Sequence, residues 1–201
     1  PEVFIIENVK NILNSSNHYF RDEILREIKN LGYIVNCGVV NAKNYGVPQN
    51  RERALFIASK TKFINFPNPI DKQTTVRDAI SDLAYLESGQ GQAISDYINP
   101  AQSDYQRQLR SKCLQYHKAS SHSKLAIEKL KMIPPECGKE YLPNNLLGKQ
   151  KFSTTWSRLE WDNISPTIDT RFDTPSNGKN SHPFLNRAIT CLLYTSPSPR
   201  D

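Results

Sequence analysis

Four apolar residues, Val3-Phe4-Ile5-Ile6, run directly into Glu7-Asn8-Val9. A short unbroken apolar run ended by an acid is the pattern of a buried strand that carries a carboxylate to the edge of a sheet. From Asn17 to Leu31 the spacing changes. Phe20, Ile24, Ile28 and Leu31 recur at helical intervals, Asp22, Glu23, Arg26 and Lys29 occupy the other side, and Gly32 stands where a helix C-cap belongs. Tyr33 to Val40 is rich in β-formers, and Ala54 to Ser59 is a further short apolar strand. Strand, helix, strand predicts a βαβ unit whose first two strands are parallel, with a right-handed crossover. Only about a dozen residues, with Gly46 and Pro48 and no helical pattern, separate the last two strands. That connection is too short for a helical crossover, so the final pair is expected to be antiparallel.

Pro67-Asn68-Pro69 marks a boundary, after which Thr75 is placed to cap a short helix over 75–83. From Glu87 to Lys151 the chain is polar and basic with weak periodicity. The clearest element there is a helix from Ser123 to Met132, apolar at Leu125, Ile127, Leu130 and Ile133 and stopped by Pro134-Pro135. Between Phe152 and Ile189, turn residues at Asn163, Ser165-Pro166 and Asn177-Gly178 break the sequence into expected short strands and loops around Trp156, Trp161 and Phe172.

Composition narrows the functional classes. Of 201 residues, 37% are hydrophobic, and the mean hydropathy of −0.60 is lean for a compact α/β enzyme, as expected if a polar, loop-rich part dilutes a packed one. The net charge of +6 is compatible with a polyanionic partner without requiring one. Cys37, Cys113, Cys137 and Cys191 are scattered with no C-x-x-C spacing, which argues for reduced thiols rather than a zinc site or disulfide framework. No apolar run approaches the roughly 18 residues of a membrane span, and there is no signal peptide. Pro1 in place of Met suggests an N-terminus further upstream.

The candidate chemistry lies in two short motifs. Glu7 ends the first strand, where ligands gather in open α/β sheets. Gln49-Asn50-Arg51-Glu52-Arg53 places two arginines at alternate positions, on one side of the chain if the backbone is extended. An acid and two fixed cations converging on one pocket can grip a polar planar group. Read singly, Glu7 is equally a solvated strand-end acid, and the Gln-Asn-Arg-Glu-Arg run a charged turn.

Taken together, in order and at their spacing, these motifs resemble the cytosine-C5 DNA methyltransferase family. The match extends over Pro1-x-Val3-Phe4-x-x-Glu7-Asn8-Val9, Leu31-Gly32-Tyr33 and Asn41-Ala42-x-x-Tyr45-Gly46-Val47-Pro48-Gln49-Asn50-Arg51-Glu52-Arg53. Further on, Arg158-Leu159-x-Trp161-Asp162-x-x-Ser165-Pro166-Thr167-Ile168 looks like the family's target-recognition domain, and His182-Pro183-x-x-Asn186-Arg187-Ala188-Ile189-Thr190 like the opening of its ninth motif.

The resemblance implies an enzyme that transfers a methyl group from S-adenosylmethionine to C5 of a cytosine flipped out of double-stranded DNA. A cysteine thiolate adds to C6, and a carboxyl group of raised pKa, held at N3, makes that addition feasible. Glu7 takes that role by position. Of Arg51 and Arg53, one is expected at the cytosine O2 and the other against the carboxylate. Asn8 and Gln49 would hold the loop and base, and Thr167-Ile168 would fill the space left by the flipped base, although alone that pair is an ordinary strand dipeptide. Trp156 and Trp161 read as core rather than stacking platforms. Arg107, Arg110, Lys112, Lys118, Lys124, Lys129 and Lys131 are candidate phosphate contacts, each also readable as a solvated charge.

The implied fold is α/β: the edge of a doubly wound, mostly parallel S-adenosylmethionine-dependent methyltransferase sheet with an antiparallel last strand, plus a small, irregular, β-rich target-recognition domain. Residues 1–70 would belong to the catalytic domain, 71–180 to target recognition and 181–190 to a return toward the catalytic domain. Residues 191–201 read as a non-native Ser/Pro tail resembling translated sequencing adapter. The family's nucleophilic Pro-Cys loop and Gly-rich donor loop both precede Glu-Asn-Val and are not in this chain, so no cofactor-binding residue and no metal ligand is assigned. The expectation is a fragment, inactive alone, of an enzyme of the bacterial or phage-infected cytoplasm. Its partners would be double-stranded DNA, the missing N-terminal half and a cognate restriction endonuclease, with no membrane. The alternatives are the recognition subunit of a split methyltransferase and a non-enzymatic DNA-binding module.

Overall fold

In the computed structural model, residues 1–148 and 153–190 are described. The chain divides into two compact units, Pro1–Gln73 and a second beginning at Thr74. The 191–201 tail, with Cys191, and the predicted segment ends at Lys151 and Phe152 lie outside the described residues.

The first unit is a three-stranded sheet with one helix. Strands β1 (Val3–Val9), β2 (Ile34–Asn41) and β3 (Glu52–Ser59) lie in the order β1-β3-β2. β3 pairs antiparallel with both neighbours, Val9 opposite Arg53 on one side and Val40 opposite Arg53 on the other. The predicted antiparallel final pair therefore forms. The predicted mostly parallel sheet does not: β1 and β2 run in the same direction, but β3 separates them and every ladder in this unit is antiparallel. The short return from β2 accounts for this, because it lets the chain turn straight back into the slot between two like-directed strands.

Side-chain alternation sorts the sheet into two faces. Phe4, Ile6, Val35, Cys37, Ala54, Phe56 and Ala58 line one, packed with Ile24, Leu25 and Ile28 of helix α1 (Tyr19–Asn30). Ala54 and Ala58 are small enough to let the helix approach β3, and Phe56 fills the space between them. Phe20 and Leu31, expected on the inward stripe, are instead exposed at the two ends of the helix. The inward row is 24, 25 and 28, and the Phe20 ring rests edge-on against Tyr19, 5.6 Å between centroids. Gly32 adopts φ +80 just past the helix, the left-handed conformation its C-cap position was read to need. On the opposite sheet face, Phe66 lies against Gly38, where a Cβ would meet its ring at 3.0 Å, and Asn36 Nδ2 donates to the Ile64 carbonyl at 3.0 Å.

The second unit is irregular, with short helices α2 (Val76–Ile80), α3 (Asp104–Leu109), α4 (Lys124–Met132) and α5 (Asn144–Leu147) and a two-stranded sheet of β4 (Ile94–Ser95) and β5 (Leu114–Gln115). Thr75 caps α2 as predicted, with Asp78 reciprocating in a capping box. The next two free N–H groups of α2 are met by the Asn163 and Trp161 carbonyls at 2.9 and 2.7 Å. Ser123 caps α4. This helix buries Leu130, with Ile133 just beyond it, and leaves Leu125 exposed. The strands expected after residue 152 reduce, among the described residues, to isolated bridges such as Ser181 to Ala188, because this stretch is held largely by side chains bonding to backbone. Two apolar clusters fill the unit, one around Val76, Ile80, Leu114, Leu159, Ile168 and Ile189, the other around Leu130, Ile133, Leu142 and Trp156. Trp156 is core, as expected, and Trp161 packs on the first cluster.

Candidate active site

The register of β1 on β3 builds the site. Arg53 stands opposite Val9, so it is the diagonal neighbour of Glu7 on the same sheet face, within reach of a long side chain. Its Nε lies 2.8 Å from Glu7 Oε1. Arg51, two residues earlier and just outside the ladder, brings Nη2 to 3.9 Å from the same oxygen. The two sequence motifs thus converge on one carboxylate. The expected burial of that carboxylate is not met within this unit: the Glu7 side chain is 52% exposed, against 38% for Arg51 and 21% for Arg53. The reason is positional, since Glu7 occupies the face opposite α1, near the end of β1.

Asn8 acts locally, its Oδ1 accepting the Val9 N–H at 2.8 Å. Gln49 closes a turn through its backbone N–H on the Val47 carbonyl at 2.7 Å, and the same loop is braced by Asn41. The Asn41 side chain caps the 3-10 turn Ala42–Tyr45, accepting from Lys43 N at 3.3 Å and from Arg51 N at 3.1 Å, and donates to Asn50 Oδ1 at 2.7 Å. Gly46, at φ +82, ends that turn. Lys10, just after β1, pairs with Glu52, between the two arginines. Asn41 lies within the matched motif, where the resemblance implies no role for it. The available signal was its place as an N-cap residue at the mouth of the loop that carries both arginines.

The cysteine of this unit cannot join the cluster. Cys37 pairs in register with Phe56 and belongs to the helix-covered face, opposite that of Glu7. Nor do the glycines form a donor cradle. Gly32 and Gly46 end helical turns, and Gly38 lies under Phe66, so these glycines do not fit S-adenosylmethionine and no residue of this unit is assigned to it. Among the described residues no group of His, Cys, Asp and Glu could hold a metal, and no helix is long and apolar enough to cross a membrane.

In the second unit, Thr167 is exposed, whereas Ile168 is buried in the apolar cluster with Val76 and Ile80. The basic residues divide in the same way. Arg107 pairs with Asp104. Arg110 pairs with buried Asp82 at 2.6 Å and lies 4.3 Å from the Tyr97 ring centroid. Lys129 lies over Trp156. Lys112, Lys118, Lys124 and Lys131 are exposed.

Sequence reading missed a buried polar cluster. Arg158 is 2% exposed and donates to the carbonyls of Leu130 and Ile133 at the C-terminal end of α4 and of His182, Phe184 and Leu185, and to Asn186 Oδ1. It thereby satisfies the Ile133 carbonyl at the helix end and adds a second bond to that of Leu130, which also accepts the Ile133 N–H. His182 Nδ1 accepts from the Phe184 and Leu185 N–H groups at 3.2 and 3.0 Å. Burial, reinforced by Arg187 and Arg158, pushes its pKa down to about 2. His117, between Thr190 Oγ1 and the Leu83 carbonyl, is pushed down to about 4 by burial and then by Arg187. Burial likewise lowers Arg187, to about 10.

The model of the C-5 cytosine-specific DNA methylase family matches residues 1–192. The chain belongs to this family. Within it, the chain is 34% identical over 146 residues to the type II methyltransferase M.DdeI of Desulfomicrobium norvegicum, covering 66% of this chain and 35% of that protein. It is 26% identical over 211 residues to the type II methylase M.HgiDII of Herpetosiphon aurantiacus, covering 98% and 54%. This C-5 methylase chain thus spans roughly a third to a half of the length of these two relatives. Its fold is similar to a crystal structure described as a DNA modification methyltransferase encoded within an E. coli prophage, with TM-score 0.62 and 20% identity over 96% of this chain and 58% of that one.

Proposed function

We propose that the chain is part of a DNA (cytosine-5)-methyltransferase that acts on a cytosine flipped out of double-stranded DNA, within a restriction-modification system. The observation that carries this reading is the convergence of Arg53 and Arg51 on one oxygen of Glu7 in a chain that the family matches over nearly its whole length. The type II names of M.DdeI and M.HgiDII support the restriction-modification context and a cognate endonuclease as partner.

Glu7 holds the proton at the cytosine N3 as the ring takes up electron density from thiolate addition at C6. The guanidinium groups hold its carboxyl group in place by charge-assisted contacts. Arg53, closer and anchored within the ladder, orients Glu7. Arg51, farther from Glu7 and more exposed, reaches O2 of the base, which relaxes its hold on the carboxylate as the base arrives. Asn8 lies beside the base, and Gln49 lines the loop below it. S-adenosylmethionine supplies the methyl group, and the nucleophilic cysteine comes from outside this chain. The unit beginning at Thr74 serves target recognition, with Lys112, Lys118, Lys124 and Lys131 against phosphates and Thr167, anchored by buried Ile168, facing the DNA.

The test is labelled methyl transfer to duplex DNA by an intact methyltransferase that carries this segment. Glu7→Gln keeps shape and a hydrogen-bonding group but removes the proton, and is expected to lower kcat by about 10²–10⁴ with DNA affinity nearly unchanged. Wild-type turnover would overturn the reading. So would methyl transfer by the 201-residue chain alone, since Glu7 and the arginines cannot substitute for a covalent nucleophile.

A further inference from the structure

We propose that Asn41 is a positioning residue that fixes Arg51 through its backbone, so that the two site arginines are held by separate devices. This rests on the reading of Glu7, Arg51 and Arg53 given above. The ladder between β2 and β3 ends at the pair Asn41–Glu52. Arg53 lies inside it, held on both sides by the pairings of a central strand. Arg51 lies one residue beyond it. Four bonds take the place of the missing ladder there: the Asn41 Oδ1 accepts from Arg51 N at 3.1 Å and from Lys43 N at 3.3 Å, the Asn41 Nδ2 donates to Asn50 Oδ1 at 2.7 Å, and Ala42 N donates to the Arg51 carbonyl at 3.0 Å.

One amide side chain therefore ties the entrance of the 42–51 loop to its exit. Its acceptor oxygen serves both ends at once, and its donor holds the residue before Arg51. The loop between carries only the 3-10 turn 42–45 and the single bridge residue Gln49, so little regular structure besides sets where the Arg51 backbone points. A long side chain that must reach a base magnifies any rotation at its Cα, and a displacement near 1 Å in a positioned group can cost about 10²-fold in rate. Alanine offers neither the acceptor nor the donor. Aspartate keeps the acceptor for the Arg51 and Lys43 N–H groups and loses only the donor to Asn50.

Amide hydrogen exchange on the 201-residue chain reads the structural half of the proposal. Asn41→Ala should speed exchange at the Arg51 amide by about tenfold, the effect of one lost hydrogen bond, and leave the Arg53 amide unchanged. Asn41→Asp should restore the slow rate at Arg51. Equal acceleration at both amides would mean general loosening of the sheet and overturn the proposal. Labelled methyl transfer by an intact methyltransferase carrying this segment reads the functional half. Asn41→Ala should lower kcat by about 10²-fold with DNA affinity nearly unchanged, and should add no further loss in an Arg51→Gln background, because both changes remove the same contribution. A full additional loss in that background would overturn the proposal. The Glu7→Gln enzyme separates this from the reading beneath it: wild-type turnover there refutes the role of the site, while the exchange rates at Arg51 and Arg53 still decide what Asn41 does.

Discussion

Two groups of charged and polar side chains dominate this molecule, and they are built on opposite terms. In the first unit, Glu7, Arg51 and Arg53 meet on an open sheet face with the carboxylate half in water. In the second, Arg158, Arg187, His117 and His182 are all nearly or fully buried, and their partners are mostly backbone groups rather than opposite charges. By residue type alone the second cluster has the stronger appearance of a catalytic centre. Its geometry says otherwise, since Arg158 has its donors engaged by the ends of two backbone segments and His182 acts as an acceptor that closes a turn. Buried polar groups whose bonds run mostly to the protein's own backbone hold a fold, whereas charges left partly solvated on one face are available to a ligand.

The largest expected effect breaks the comparison from the buried side. Arg158→Met removes a guanidinium and strands the Ile133 and His182 carbonyls in the interior, with an expected loss of about 3–5 kcal/mol in the urea unfolding of the second unit. Glu7→Gln, read in the urea unfolding of the first unit, should fall within about 1 kcal/mol of wild type, as befits a half-exposed pair. Similar losses for the two would mean that burial does not separate the clusters.

Acid should act on the same side. The folded-state pKa of His117 is lowered from 6.5 to about 4, so the unfolded chain binds the extra proton in that window. Its contribution is complete above about pH 6.5 and is lost as pH falls toward 4. His182, lowered to about 2, adds its loss over the same range and continues below it. Each contributes a slope of about 1.4 kcal/mol per pH unit inside its window. A urea midpoint for the second unit that stays flat between pH 7 and pH 5 would contradict the burial of these rings.

Smaller effects sharpen the surface side. Lys118, Lys124 and Lys131 are exposed, and replacing each with Gln should reduce the salt dependence of DNA binding by about 0.9 in the log–log slope, with melting unchanged. Arg110→Gln should instead destabilise, because it leaves the Asp82 carboxylate buried without its cation. Smallest of all, Ile5→Lys on the edge strand β1, where Ile5 is 61% exposed, should cut concentration-dependent self-association, measured by light scattering, while moving Tm by no more than a degree or two.

The sequence carried the elements whose determinants are local. Thr75 with Asp78, Gly32, Ser123 and the strand alternation were all readable because each depends on neighbours within a few positions. The helix faces were read less well, since period alone placed Phe20, Leu31 and Leu125 inward, and only the extent of the surface beneath a helix decides where its stripe stops. The site arginines were legible through their alternate spacing, and their common target was suggested by the motif order. Asn41 and Arg158 escaped for a shared reason. Their partners are backbone atoms, which every residue possesses, so no pairing of residue types announces them.

The position of β3 between β1 and β2 also bears on how the unit comes into being. The strand that arrives last in the chain is the one that must enter the middle, so the two earlier strands cannot close on each other and wait, spaced by the helix that connects them, for a third to fill the gap. Nearly all of the non-local pairing in the unit then forms in a single late step, the kind of ordering that slows folding and leaves two open edges unsatisfied until it is complete. Arg53 travels on that strand and Arg51 directly ahead of it. The grip on Glu7 therefore appears only at the moment the sheet is finished, and a partly folded unit 1 carries its carboxylate but not the cations that set it.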